Sequence, residues 1–104
     1  MAKSKYVIKY TDKFVKQFNN ILKYFINKLQ NEIAAENFYN EVIEKIEKRS
    51  ENPEDFEEYK SSRKRKNTYY RISVKNYTIF YVLKDNTMEI RRILYSRRTF
   101  NKLI

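Results

Sequence analysis

The sequence predicts an α+β fold. A helical hairpin packs on one face of a small, mainly antiparallel sheet, in the order β-α-α-β-β-β. Three observations predict it. Apolar residues recur at helical spacing from Phe14 to Ile46, they alternate with a period of two from Tyr70 to Tyr95, and a short alternating segment precedes both. At 104 residues, one domain spanning 1–104 is expected.

"KYVIKY", Lys5 to Tyr10, alternates and reads as a first strand. Thr11 and Asp12 follow with side-chain oxygens suited to capping a helix. Phe14, Phe18, Ile21, Leu22, Phe25 and Leu29 then form one apolar stripe. The segment Asn27 to Asn31 breaks it, and Asn31 can cap a second helix. There Ala35, Phe38, Val42 and Ile46 share one face, while Glu41–Lys45 and Glu44–Lys48 are i,i+4 pairs in the favourable order. Asn52-Pro53 ends this helix, because a residue before proline avoids the α region.

"ENPEDFEEYKSSRKRKN" has no periodicity and reads as a surface connection, acidic first and basic second. In "TYYRISVK", Tyr70, Ile72 and Val74 face one way, and Tyr69, Arg71, Ser73 and Lys75 face the other. Lys75-Asn76 is a tight turn into "YTIFYVLK", and "KDNT" is a second turn into "MEIRRILYS". The alternation slips between Ile90 and Ile93, which predicts a β-bulge at Arg91 and Arg92. "TFNKLI" reads as a short helix or tail. The helices need a cover, so they lie on one sheet face, with Phe80 expected beneath them. The opposite face is left to Arg71, Ser73, Lys75 and part of the arginine set of "RRILYSRRTF".

Charge separates the chain into two parts. Residues 1–59 hold 10 Lys/Arg against 11 Asp/Glu, whereas residues 60–104 hold 13 against 2. The net charge of +10 therefore lies wholly in the C-terminal part, and such a one-sided surface suits phosphates or an acidic protein. The absence of histidine excludes Ser-His-Asp triads and His proton shuttles. The absence of glycine excludes Gly-rich phosphate loops, and the absence of cysteine excludes disulfides and thiolate chemistry. No cofactor and no metal site are expected, since the carboxylates lie on the hairpin or in Glu51 to Glu58 without converging. There is no apolar run of membrane-spanning length and no signal-like N-terminal segment, so a cytoplasmic protein is expected.

Three segments together resemble the RelE/ParE superfamily of toxins from bacterial type II toxin–antitoxin systems, from about Tyr6 to Leu103. "YFINKLQNEIAAENFYNEVIEKIEKRSENP" resembles the helical hairpin of the ParE branch, the plasmid-stabilisation type. "YYRISVKNYTIFYVL" resembles its central strand pair, and "IRRILYSRR" its last strand with the Arg-Arg end. The resemblance implies a growth-inhibiting toxin neutralised by a cognate antitoxin, in a toxin–antitoxin hetero-oligomer. It implies one of two targets. ParE-like members inhibit DNA gyrase. RelE-like members are ribosome-dependent mRNA endoribonucleases, or mRNA interferases, that work through a basic face. Against the RelE pattern, Arg71 and Lys75 match, Ser73 stands between them, and Thr78 occupies a position where those enzymes place an arginine. Arg98 matches their final arginine, or Arg97 with a one-residue shift, and their C-terminal tyrosine has no counterpart up to Ile104.

If the chain is a nuclease, the resemblance makes Arg71, Lys75 and Arg98 its catalytic candidates. RNA supplies its own 2′-OH nucleophile, so the protein need only accept that proton and stabilise the phosphorane. Arg71, Arg91, Arg97 and Arg98 are suited to the charge, and Lys75 or Tyr95 would have to act as base. For target binding the candidates are Arg91, Tyr95, Arg97 and Arg98, with Lys64 and Arg65 of "KSSRKRK". Tyr77, Tyr81 and Tyr95 can equally fill the sheet, and the basic connection can equally serve only to speed encounter.

Overall fold

A computed structural model describes residues 6–55, 58–59 and 68–97. The elements are β1 (Val7–Tyr10), α1 (Asp12–Asn27), α2 (Glu32–Arg49), a 3-10 turn (Pro53–Asp55), β2 (Glu58–Tyr59), β3 (Tyr69–Val74), β4 (Tyr77–Lys84) and β5 (Thr87–Tyr95). The sheet order is β1-β5-β4-β3-β2. β1 runs parallel to β5 and the other pairings are antiparallel.

Both helix starts follow from their caps. The Thr11 hydroxyl accepts from the Phe14 N–H at 3.3 Å and donates to the Ile90 carbonyl at 2.9 Å, so one side chain caps α1 and ties it to β5. Asn31 Oδ1 accepts from the Ala34 N–H at 2.9 Å and starts α2. Gln30 lies between the helices with φ 50°, a left-handed conformation that costs a residue with a Cβ. Among the described residues, the other two left-handed ones are Lys75 and Asp85, each first in a two-residue hairpin loop. A chain without glycine has to place ordinary residues at such turns.

The helices cover one face of the sheet, the near face. The core there joins Phe14, Phe18, Phe38, Val42 and Ile46 to Ile72, Ile79, Tyr81, Met88, Ile90 and Ile93. Aromatic rings link helix to helix to sheet. Phe18 lies 6.0 Å from Phe38, Phe25 lies 5.2 Å from Phe38, and Phe38 lies 5.2 Å from Tyr77. Leu29 departs from the predicted stripe: it follows the end of α1 and is 52% exposed.

Tyr81 joins three elements. Its buried hydroxyl donates to the Pro53 carbonyl at 2.8 Å and accepts from Arg49 Nη1 at 3.1 Å. The same Nη1 donates to the Arg71 carbonyl at 3.0 Å. This network fixes the end of α2 and the Asn-Pro turn against β3 and β4.

The predicted bulge is present. Phe80 pairs with Arg92 while Tyr81 pairs with Ile90, which leaves Arg91 as the extra residue of β5. Beyond Tyr10 no β1 residue pairs with β5, and there Gln17 of α1 accepts the Ile93 N–H at 3.0 Å.

Two expectations need correction. Phe80 does not lie beneath the helices. It is buried on the opposite, far face with Tyr69, Val82 and Leu94, while Tyr81 takes the near face. Strand alternation leaves only one of two neighbours for the helices, and the sequence does not reveal that the far face has an apolar cluster of its own. Within the connection after Pro53, a 3-10 turn and the short β2 add a fifth strand, which two residues are too few to announce by periodicity.

Candidate functional site

The sequence-predicted residues divide among three places. On the far face, Arg71, Phe80 and Arg92 form one row across β3, β4 and β5. Arg91 turns toward its own chain. Its Nε donates to Glu89 Oε1 at 2.7 Å, and its Nη1 donates to the Tyr69 hydroxyl at 3.3 Å. Burial opposes the charge of Glu89, but the Arg91 hydrogen bond and charge outweigh it and hold the carboxyl below its ordinary value. Burial also lowers the pKa of Arg92, whose Nη1 donates to the Arg91 carbonyl at 2.9 Å. The bulge thus places both arginines in local networks that strand periodicity does not foretell.

The second place is an open groove of about 720 Å³ between the C-terminal half of α1 and the β3–β4 turn. Lys75 and Tyr95 meet there, with Tyr24, Phe25, Leu29 and Tyr77. Tyr95 packs edge-on against Tyr77 at 5.6 Å, and Lys75 Nζ lies 3.4 Å from Glu41 Oε1. Burial, then the neighbouring Tyr24 and Tyr95, raises the pKa of Tyr77 and keeps its phenol protonated. Tyr24 and Leu29 are about half exposed, and Ile26 and Ile33 extend the apolar surface around the hairpin tip. Arg97 is exposed just past β5, where the Ser96 N–H donates to the Asn76 carbonyl at 2.8 Å. Thr78 is buried and shares a 2.9 Å hydrogen bond with the Ser96 hydroxyl. Arg98, Lys64 and Arg65 lie outside the described residues.

The third place draws on α2 residues that the sequence pattern did not single out as a site, although Lys45 was expected to pair with Glu41 and does so at 3.6 Å. Lys45, Lys48 and Arg49, from one face of α2, line a cleft of about 650 Å³ with Asn52, Arg71 and Ser73. Their i, i+3, i+4 spacing was legible as a helical cationic face. Its meeting with Arg71 depends on tertiary packing.

Among the described residues, no three His, Cys, Asp or Glu side chains converge as a metal site. No helix among them is long and apolar enough to cross a membrane. Arg71 belongs to the far-face row and offers its carbonyl to Arg49 at the third place, Lys75 and Tyr95 line the second, and Arg91 is held by Glu89 and Tyr69.

The family model for the ParE toxin of the type II toxin–antitoxin system parDE matches residues 8–100. The chain belongs to the ParE toxin family. No curated protein matches this ParE-family sequence. Among solved structures, the chromosomal ParDE toxin–antitoxin system from P. aeruginosa is similar at 13% identity and a TM-score of 0.72, covering 88% of this chain and 96% of that one. The archaeal RelE–RelB complex from Pyrococcus horikoshii OT3 is similar at 17% identity and a TM-score of 0.54, covering 92% of this chain and all of that one. At these identities the two structures show the shared α+β toxin fold. The family match identifies this chain as a type II toxin with an antitoxin partner.

Proposed function

We propose that this ParE-family toxin arrests growth by inhibiting DNA gyrase in the cytoplasm, and that its antitoxin masks the α1 groove. The observation that supports the gyrase reading is that candidate cations of the basic set are engaged by carboxylates of the chain itself. Lys75 is paired with Glu41 beside the α1 groove, and Arg91 is held by Glu89 and Tyr69, while Arg71 lies in the far-face row with Phe80 and Arg92. General-base and phosphorane-stabilising groups must lie within hydrogen-bond reach of one phosphate, and among the described candidates Lys75 and Arg91 are each engaged by a carboxylate instead. Thr78, buried and bonded to Ser96, supplies no cation at the position that resembles the nuclease arginine.

The groove supports the antitoxin reading. Tyr24, Phe25, Leu29, Tyr77 and Tyr95 offer an apolar strip suited to an amphipathic helix, and Lys75 at its rim suits an acidic flank. The experiment separates the targets. The toxin is induced, and inhibition of purified gyrase and the DNA-damage response are measured beside in-frame cleavage of messenger RNA. Gyrase inhibition without RNA cleavage is expected. In-frame RNA cleavage with unaffected gyrase would replace this reading by the ribosome-dependent endoribonuclease.

A further inference from the structure

We infer that the outer edge of β5, at Ile93 and Tyr95, takes an extended segment of the antitoxin as an added strand. The inference rests on the reading that the antitoxin occupies the α1 groove, and it assigns the conformation of the part that reaches β5. The bulge at Arg91 decides which backbone groups face outward. Before it, the Ile90 carbonyl accepts the Thr11 N–H at 3.1 Å, so Ile90 faces the β1 side. After it, the Ile93 N–H turns to Gln17 at 3.0 Å, while the Ser96 N–H turns the other way, to the Asn76 carbonyl at 2.8 Å. Ile93 and Tyr95 therefore face outward, and in an antiparallel ladder both backbone groups of a residue point to the same side. The Ile93 carbonyl and the Tyr95 N–H and carbonyl thus point away from β4.

Among the described residues, no group meets these three. β1 stops pairing at Tyr10, opposite Ile90, because the chain turns into α1 there. The Gln17 amide stands in for the next strand at one position, the Ile93 N–H. The alternative role of Gln17 is to tie α1 to β5, as Thr11 does at the Ile90 carbonyl. That role accounts for the Ile93 N–H and does not extend to Tyr95. Exposed edges are commonly guarded by lysine or proline, and Ile93, Leu94 and Tyr95 offer neither.

The groove beside this edge decides what kind of segment fits. Ile93 and Tyr95 share the near face with Ile79 and Tyr77, their partners on β4. A strand paired at Tyr95 sends every second side chain to that same face, where Ile21, Tyr24, Phe25 and Tyr77 line the groove. Apolar side chains gain from burial there. Main-chain bonds to β5 hold the segment, and the groove selects its side chains. A helix bonds its backbone groups within itself and has none to spare for an edge. The apolar strip of the groove suits a helix, whereas the three groups of β5 are matched in a partner only by extended chain. A second copy of this toxin is disfavoured, since two chains of net charge +10 repel.

Tyr95 allows the contribution of the backbone to be separated from that of the ring. Its N–H does not bond β4, so proline there removes an outward donor and no ladder bond. Its ring packs edge-on against Tyr77 at 5.6 Å, and any smaller side chain loses that contact. Valine suits a strand and keeps the N–H, so it is the matched comparison.

The test compares the full-length toxin alone with its co-expressed complex with the cognate antitoxin, by amide hydrogen exchange and by NMR of the tyrosine rings. The Tyr95 amide should exchange freely in the toxin alone and be protected by about 10-fold or more in the complex. The Leu94 amide, which faces Thr78, should be slow in both. Tyr95→Pro should bind the antitoxin about 10-fold more weakly than Tyr95→Val, the effect of one partner carbonyl left without a donor. Both variants are checked by thermal melting, and the exchange of the parent decides alone if Tyr95→Pro is unfolded. A protected Tyr95 amide in the toxin alone would show that this edge is already paired and would overturn the proposal. So would a Tyr95 amide that exchanges as freely in the complex, or equal affinities of the two folded variants. The Tyr77 ring distinguishes these results from failure of the groove reading. A Tyr77 ring shifted by the antitoxin beside an unprotected Tyr95 amide keeps the groove and removes the added strand, whereas an unshifted ring removes both.

Discussion

Removing one oxygen atom, by Tyr81→Phe, tests whether the Tyr81 network holds the toxin's hairpin to its sheet. The hydroxyl makes one bond to a neutral carbonyl and one to a guanidinium. The first is worth about 0.5–1.5 kcal/mol net and the second about 1.5–3 kcal/mol. Arg49 keeps the Arg71 carbonyl as a partner, so the loss should fall below the sum, at about 2–3 kcal/mol. For a domain of this size that lowers the melting temperature by roughly 10–20 °C, at about 4–8 °C per kcal/mol. The assay is thermal unfolding followed by circular dichroism at pH 7. The same variant should change the alkaline limb. Burial raises the pKa of Tyr81, although the Arg49 hydrogen bond and charge act in the opposite sense. A folded-state pKa above the unfolded value contributes stability that is present below the unfolded value, 10.0, and lost as pH rises through the folded one. The parent should therefore weaken above pH 10, and Tyr81→Phe should weaken less steeply there. A melting temperature within about 2 °C of the parent would mean a loss well under 1 kcal/mol and would refute the network's role.

Four further outcomes are expected. Phe80→Ala should cost about 3–5 kcal/mol although no helix lies over it, measured by denaturant unfolding, and a cost under 1 kcal/mol would show that the far-face cluster is not a core. Glu89→Gln should remove a stability increment that is present above the ordinary carboxyl value and lost as pH falls through the lowered folded one, so acid unfolding curves of parent and variant should converge at low pH. Gln30→Gly should raise stability by about 0.5 kcal/mol, because relief of a left-handed cost of about 1–2 kcal/mol outweighs the entropy that glycine adds, and a lower melting temperature would contradict it. Replacing Arg97 and Arg98 together by alanine should abolish growth arrest while antitoxin binding and melting stay near the parent, as ordinary surface arginines change stability by about 0.5 kcal/mol; a folded and fully toxic variant would exclude the C-terminal segment as the working surface.

The fold was legible wherever one local rule acted alone. Thr11 and Asn31 cap the two helices as their side chains predict, and Phe38, Val42 and Ile46 are buried at helical spacing. The bulge could be read because an insertion in one strand disturbs alternation over only a few residues. What escaped depends on which surface lies opposite. Phe80 and Tyr81 are equally apolar neighbours, and only the placement of the hairpin decides which of them it covers. Leu29 has helical spacing from Phe25, but α1 ends two residues before it.

The same distinction governs the candidate sites. Arg91 looked exposed because strand arginines usually reach solvent, yet a bulge turns its side chain to a carboxylate two residues away and to a tyrosine on another strand. Lys45, Lys48 and Arg49 looked like an ordinary solvated helix face, yet the fold sets that face against β3, where Lys45 reaches the Ser73 carbonyl and Arg49 the Arg71 carbonyl. A count of charges ranks the arginine-rich C-terminal segment first. A count of the partners already made removes Arg91, held by Glu89, and Lys45, held by Glu41, from the cations left for an anion. The second count discriminates better, because a cation already engaged by a carboxylate within its own chain must lose that bond before it can hold a phosphate.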